Sequence, residues 1–130
     1  PDQDGCGLIW YSPLLPMKPN LVSQYVDMVK TICIKHKIEP LITLTSVSDR
    51  CWDSTIPILF NRKNPEEVIR AQSCYHELLE TGRLYGFVPY RLGIQSMELP
   101  ANENAVPDIL RLVKQAIDPN NIMAPGRYGL

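Results

Sequence analysis

Hydrophobic residues along this chain switch between strand-like runs and helical spacing, and the switches divide it into elements. Residues 7–15 (Gly-Leu-Ile-Trp-Tyr-Ser-Pro-Leu-Leu) form a short apolar and aromatic run bounded by Gly and Pro, which predicts a strand stopping at Pro13. Asn20 then stands as the cap of a helix whose stripe is Leu21, Tyr25, Met28 and Ile32. Lys35, His36 and Lys37 crowd its last turn, where positive charge suits the helix dipole. Residues 41–47 are β-rich, with Thr43 and Thr45 interleaved, and after a turn at Ser48-Asp49 residues 55–61 predict another strand. There Ile56, Ile58 and Phe60 share one face, and Pro57 on the other implies an edge or an interrupted ladder.

The second helix has the strongest local signal. Asn64 is its N-cap, Pro65 its first residue, and Glu67 stands three residues on, as in a capping box. Val68, Ala71, Cys74/Tyr75 and Leu78/Leu79 make its buried stripe, and Gly82 or Gly86 ends it. Residues 87–92 are a last short strand, 92–104 are loop-like, and a third helix carries Val106, Ile109, Leu112/Val113 and Ile117. The order β-α-β-β-α-β predicts an α+β, ferredoxin-like antiparallel sheet with helices on one face, followed by a C-terminal helix and tail. The sheet's second face must then be covered, solvated or used. Trp10, Thr43, Thr55 and Tyr90 alternate with core-type neighbours, so members of this set point that way. Such a mixed surface suits an aromatic ligand, although burial of a Trp in the core is the commoner outcome.

Composition narrows the classes. With 13 Lys and Arg against 14 Asp and Glu the net charge is −1, which gives no electrostatic case for nucleic acid or an anionic membrane. An RNA-binding sheet of this topology would interleave basic and aromatic residues along its strands, and these strands do not. No apolar run is long enough for a membrane span. Cys6, Cys33, Cys51 and Cys74 form no C-x-x-C pair, so no zinc site is expected; reduced, partly buried thiols are the plainer expectation, and disulfide pairing stays open from sequence alone. His36 and His76 lack a second ligand at metal spacing and are expected on solvated helix surfaces. The opening Pro-Asp-Gln-Asp-Gly resembles the middle of a loop, so a fragment or processed piece is expected and the compartment, periplasmic or cytoplasmic, stays open.

Two places hold candidate chemistry. Tyr90-Arg91 sets a phenol beside a guanidinium at a strand end, a pair suited to holding an oxyanion, since one donates a hydrogen bond and the other stays charged. An ordinary strand end with an outward-reaching Arg is the plainer alternative. The second place is residues 118–128, Asp-Pro-Asn-Asn-Ile-Met-Ala-Pro-Gly-Arg-Tyr, which stop the third helix, turn twice and present Arg127. There is no nucleophile elbow, paired-carboxylate site or glycine-rich phosphate loop.

This closing stretch resembles that of FAD-linked oxidases of the vanillyl-alcohol oxidase and p-cresol methylhydroxylase family. The likeness extends to Leu8-Ile-Trp-Tyr-Ser-Pro13, to Phe60-Asn-Arg-Lys-Asn-Pro-Glu-Glu67 and to Tyr90-Arg91, and is nearer the cresol hydroxylase branch. It implies that residues 1–91 are the C-terminal half of a substrate (cap) domain and that 92–130 return to an FAD domain. It also implies oxidation of 4-cresol or a related para-alkylphenol through a quinone methide that water attacks. By the same resemblance Tyr90 and Arg91 are catalytic and hold the phenolate, with Trp10 and Thr43 lining the pocket. Arg91 and Arg127 would lie by the FAD. The implied partners are a c-type cytochrome subunit and a second flavoprotein copy. Leu8 stands where the oxidase branch tethers FAD through a His, and the hydroxylase branch's tethering Tyr would fall just before Pro1, so covalent attachment is left open; separately, Thr43 stands where the hydroxylase branch has a glutamate. The fragment alone is expected to be inactive. The competing expectation, from a different class, is a non-catalytic ferredoxin-like binding or assembly module.

Overall fold

The computed structural model describes residues 3–93, 96–97 and 106–127. Most of the stretch 92–104, the Val106 side chain and Tyr128 lie outside the described residues. The elements run β1 (Cys6–Tyr11), β2 (Leu14–Pro16), α1 (Pro19–Lys35), β3 (Thr43–Ser46), β4 (Cys51–Asn61), α2 (Pro65–Leu84) and α3 (Val106–Ile117). The chain divides into two compact units, Pro1–Arg91 and Leu92–Leu130.

In the first unit β4 is the strand on which the others assemble, antiparallel throughout. β1 and β2 lie on one edge in one register: Tyr11 faces Ile56, Leu14 faces Asp53, and between them the Ser54 amide donates to the Pro13 carbonyl at 3.1 Å. They are one strand nicked at Ser12-Pro13, so Pro13 interrupts the strand and does not end it. β3 takes the opposite edge, because Trp52 and Asp53 pair with β2 and with β3 alike. Pro57 fits this pattern. The hydrogen-bonded pair Ser54–Pro13 sets an alternation that turns the Pro57 nitrogen toward β3's edge, and β3 has already stopped with Thr43 opposite Thr55.

The expected last strand over 87–92 shrinks to one bridge, Pro13 to Pro89, with the Tyr90 amide 3.4 Å from the Ser12 carbonyl. The reason is covalent: two prolines face each other and neither has an N–H to extend the ladder. The spatial order is therefore residues 87–90, then β1/β2, then β4, then β3. This is the order of the ferredoxin-like α+β sheet, with its outermost strand reduced to a contact.

α1 and α2 contact one another and the strands on one face of the sheet. α1 starts at Pro19 with Lys18 as N-cap and no side-chain cap bond, so Asn20 is not the cap: proline at the first helical position fixes the start one residue earlier. α2 begins as expected. Asn64 Oδ1 accepts from the Glu66 amide at 3.1 Å. Glu67 departs from the reciprocal box by accepting from Asn64 Nδ2 at 3.0 Å and from the Asn61 amide at 2.8 Å, which ties the helix to the end of β4. α2 ends at Leu84 and Gly86 takes φ 80°, a conformation that favours glycine. Gly82 stays inside the helix for a packing reason: a Cβ there would stand 2.1 Å from the Tyr11 hydroxyl.

The core lies between sheet and helices. Tyr11, Leu15, Ile56 and Ile58 from the strands meet Tyr25, Val29, Cys33, Ala71, Cys74 and Leu78 from the helices, and Phe87 closes one end. Tyr25 stacks near Tyr11 at 6.4 Å and meets Phe87 edge-on at 5.3 Å, and its hydroxyl shares a 2.7 Å hydrogen bond with Ser54. Burial pushes both tyrosines' ionisation well above the usual phenol range, so both are neutral structural groups. The four cysteines are free thiols. His36 is not a solvated bystander: its Nε2 lies 2.7 Å from Glu77, which also takes Lys35 at 2.7 Å and clasps α1 to α2.

Candidate functional site

Strand alternation decides what the sheet's second face carries. Tyr11, Ser54, Ile56, Ile58, Phe87 and Pro89 point at the helices, so their sequence neighbours point away. Crossing the sheet in register, Tyr90 lies beside Ser12, Ser12 at the level of Thr55, and Thr55 opposite Thr43. Trp10, opposite Pro57, forms the next row, and Leu8 with Leu59 the row after. Three of the expected site residues, Trp10, Thr43 and Tyr90, therefore share one face. Three strand spacings separate Tyr90 from Thr43, roughly 14 Å.

This face is apolar and open. Trp10 is 53% exposed, Tyr90 52%, Leu59 49%, Val88 49% and Leu8 45%. Large side chains this exposed, adjacent on one surface, mark a contact or ligand surface rather than a solvated back. Arg91 turns beside Tyr90, its guanidinium carbon 5.9 Å from the Tyr90 ring centre, which keeps a fixed cation at the rim. Pro89 and Phe87, both buried, hold this end of the chain against the core and so fix where Tyr90 projects.

One group here escaped the sequence reading. Asp53 lies on the same face, between Leu14 and Thr45, and its Oδ1 is buried with no hydrogen-bond partner. A buried unpaired carboxylate oxygen is costly and calls for an explanation. Its sequence signal was faint, a lone acid in the run Cys-Trp-Asp-Ser-Thr, with nothing to mark the face it would take.

Arg127 belongs to the second unit. It is exposed and follows a loop built on Asp118. Asp118 Oδ1 accepts from the Ile122 amide and Oδ2 from the Met123 amide, each at 2.9 Å, and Lys114 donates to the same carboxylate and to the Met123 carbonyl. Lys114 first, then the amides, hold the Asp118 carboxyl below its ordinary range. Among the described residues no three His, Cys, Asp or Glu gather as a metal site. No described helix is long and apolar enough to cross a membrane.

An antiparallel α+β sheet with helices on one face and an open aromatic surface on the other is the architecture of the first unit. No family model matches the chain. It is homologous to the 4-cresol dehydrogenase [hydroxylating] flavoprotein subunit of Pseudomonas putida, 30% identical over 128 residues, 97% of this chain and 24% of that protein. It is also 36% identical over 129 residues to 1'-carboxy-chondrochloren decarboxylase of Chondromyces crocatus, 98% of this chain and again 24% of the relative. Among solved structures, p-cresol methylhydroxylase with substrate bound superposes with TM-score 0.86 at 29% identity, over 95% of this chain and 24% of that one. The 4-ethylphenol oxidase of Gulosibacter chungangensis, in complex with isoeugenol, shares the fold (TM-score 0.82, 22% identity, 96% and 25% covered). The chain thus spans about a quarter of the length of the curated relatives it matches.

Proposed function

We propose that this chain is the C-terminal segment of an FAD-dependent oxidoreductase that oxidises 4-cresol or a related para-alkylphenol, with water adding to give the hydroxybenzyl alcohol. Residues 1–91 supply half of the substrate domain and 92–130 return toward the FAD domain. The observation that carries this reading is the uncovered sheet face bearing Trp10, Thr43 and Tyr90 with Arg91 at its rim, in a chain homologous to the 4-cresol dehydrogenase flavoprotein subunit.

The side chains fit that chemistry. Trp10 offers a flat apolar contact for a phenol ring, and the exposed hydroxyl of Tyr90 can donate to a phenolate oxygen. Arg91 holds that oxygen's negative charge, so the phenol enters the reaction already ionised and its para carbon is electron-rich. The exposed guanidinium groups of Arg91 and Arg127 suit the anionic end of a flavin. FAD, when bound, supplies the acceptor for hydride from the benzylic carbon. The unpartnered Oδ1 of Asp53 leaves one polar position on this face for a water molecule. A c-type cytochrome subunit fits as the onward electron acceptor, and a second flavoprotein copy as a partner.

A second reading is favoured by the 36% identity to the decarboxylase: the same face would hold a phenol carrying a carboxyl group, lost as carbon dioxide during oxidation. One experiment addresses both. The complete flavoprotein is mixed anaerobically with 4-cresol and, separately, with a carboxylated para-alkylphenol, and flavin bleaching and product are followed. Bleaching by 4-cresol with hydroxybenzyl alcohol as product supports the first reading; carbon dioxide release from the carboxylated phenol alone supports the second. Bleaching by neither, or a colourless complete protein, favours the non-catalytic module.

A further inference from the structure

In α3 and the loop after it large apolar side chains stand exposed beside Arg111 and Gln115: Ile109 is 58% exposed, Leu112 66%, Ile117 67% and Ile122 76%. The charged pair is what lies covered, with the Lys114 side chain 15% exposed and Asp118 6%. Nor does Asp118 sit in a deep core; its own loop covers it, through the Ile122 and Met123 amides.

That clamp fixes an unfavourable backbone. Ala124 (φ 46°) is a non-glycine residue in the left-handed region, which a β-carbon disfavours, and Asn121 (φ 50°) adopts the same region, as asparagine does more readily. Such conformations persist only where surrounding contacts over-determine them. Here the contacts are countable. Both Asp118 oxygens are occupied, Lys114 reaches the Met123 carbonyl at 2.6 Å, the Asn121 amide returns to the Asp118 carbonyl at 3.0 Å, and the Arg127 amide closes on the Ala124 carbonyl at 3.2 Å. Each hydrogen bond hands the fixed geometry onward along the loop, and the side chain at its far end is Arg127.

We propose that Lys114 and Asp118 are positioning residues for Arg127, holding the loop 118–127 in one conformation so that the guanidinium meets the flavin's anionic end without an ordering cost. This rests on the reading that Arg127 serves the flavin. Pre-organisation of this kind affects binding and rate because a displacement of about 1 Å can cost about a hundredfold.

The test uses the complete flavoprotein and two readouts other than turnover. One is the dissociation constant of sulfite, an anion that adds to oxidised flavins and reports positive charge beside them. The other is hydrogen exchange across 118–127. Variants are Asp118→Asn, Lys114→Met, Lys114→Arg, Arg127→Ala and the Asp118→Asn/Arg127→Ala double. The expected result is about tenfold or more weaker sulfite binding for Arg127→Ala, Asp118→Asn and Lys114→Met, rescue by Lys114→Arg, and faster exchange at Ile122 and Met123 in the two clamp variants. The double variant should bind sulfite no more weakly than Arg127→Ala alone, because both changes act through one group. Wild-type sulfite binding by Asp118→Asn and Lys114→Met beside a weakened Arg127→Ala overturns the proposal and spares the functional reading. An additive double variant likewise overturns it, showing a general structural effect. Unchanged sulfite binding by Arg127→Ala overturns the flavin role of Arg127 and the proposal with it.

Discussion

The two faces of the sheet are both apolar, and only one is covered. On the inner face Tyr11, Ile56 and Ile58 have no exposed surface, packed beneath α1 and α2. On the outer face Leu8, Trp10, Leu59 and Tyr90 leave roughly half their surface open. A sheet meant to face water alternates apolar with polar residues; this one alternates apolar with apolar and threonine. If the inner face accounts for stability and the outer face for the recognition proposed above, a substitution on one should spare the property of the other.

The largest separation is expected from Phe87→Ala, which empties a site at the end of the core and should cost about 3–5 kcal/mol in denaturant unfolding of the complete protein. Its mirror is Trp10→Ala on the outer face, which should weaken phenol binding while moving the unfolding midpoint far less. Equal loss of stability from both would erase the distinction. Tyr90→Phe and Arg91→Ala come next, each lowering kcat/KM for a para-alkylphenol by about a hundredfold to a thousandfold, as loss of an oxyanion partner does; steady-state kinetics check this, and near-normal turnover in both would contradict it. Gly82→Ala should destabilise by about 1–3 kcal/mol, because the new methyl meets the Tyr11 hydroxyl; Tyr11→Phe in the same chain should recover part of that loss. Asn64→Ala should cost about 1 kcal/mol through the lost cap of α2.

The smallest effect is pH-dependent. Lys35 first, and His36 with it, hold Glu77 below its ordinary carboxylate value, and Asp118 is lowered by Lys114. A lowered folded value means stability that is present above the unfolded pKa, about 4, and is lost as pH falls through the folded one. Glu77→Gln should therefore flatten the acid side of the melting profile, measured by thermal unfolding from neutral to acid pH, and leave the neutral side lower by a constant amount.

Much of this division was legible in the chain. Period-2 alternation in 55–61 and helical spacing in 65–84 placed Ile56, Ile58, Ala71, Cys74 and Leu78 toward one another, and Asn64-Pro65 marked where α2 begins. What escaped depends on contacts between distant residues. That Pro13 would face Pro89 and cut the last strand to a bridge follows from a register no local window contains. The Asp53 oxygen is orphaned by packing, and the loop that carries the left-handed Ala124 is held by Lys114 and Asp118, ten and six positions upstream. Alternation already put members of the set Trp10, Thr43, Thr55 and Tyr90 on the sheet's second face; which of them share it, and in which rows, needed the sheet order.

On the proposed function, the open face receives an ionised phenol beside a fixed cation. The direct measurement is the ionisation of a chromophoric para-substituted phenol bound to the complete protein, followed by absorbance against pH in wild type and Arg91→Ala. Wild type is expected to bind the phenolate at a pH where the free phenol is still protonated, and Arg91→Ala to remove most of that shift. A bound phenol that titrates like the free one in wild type, or a shift untouched by Arg91→Ala, contradicts it.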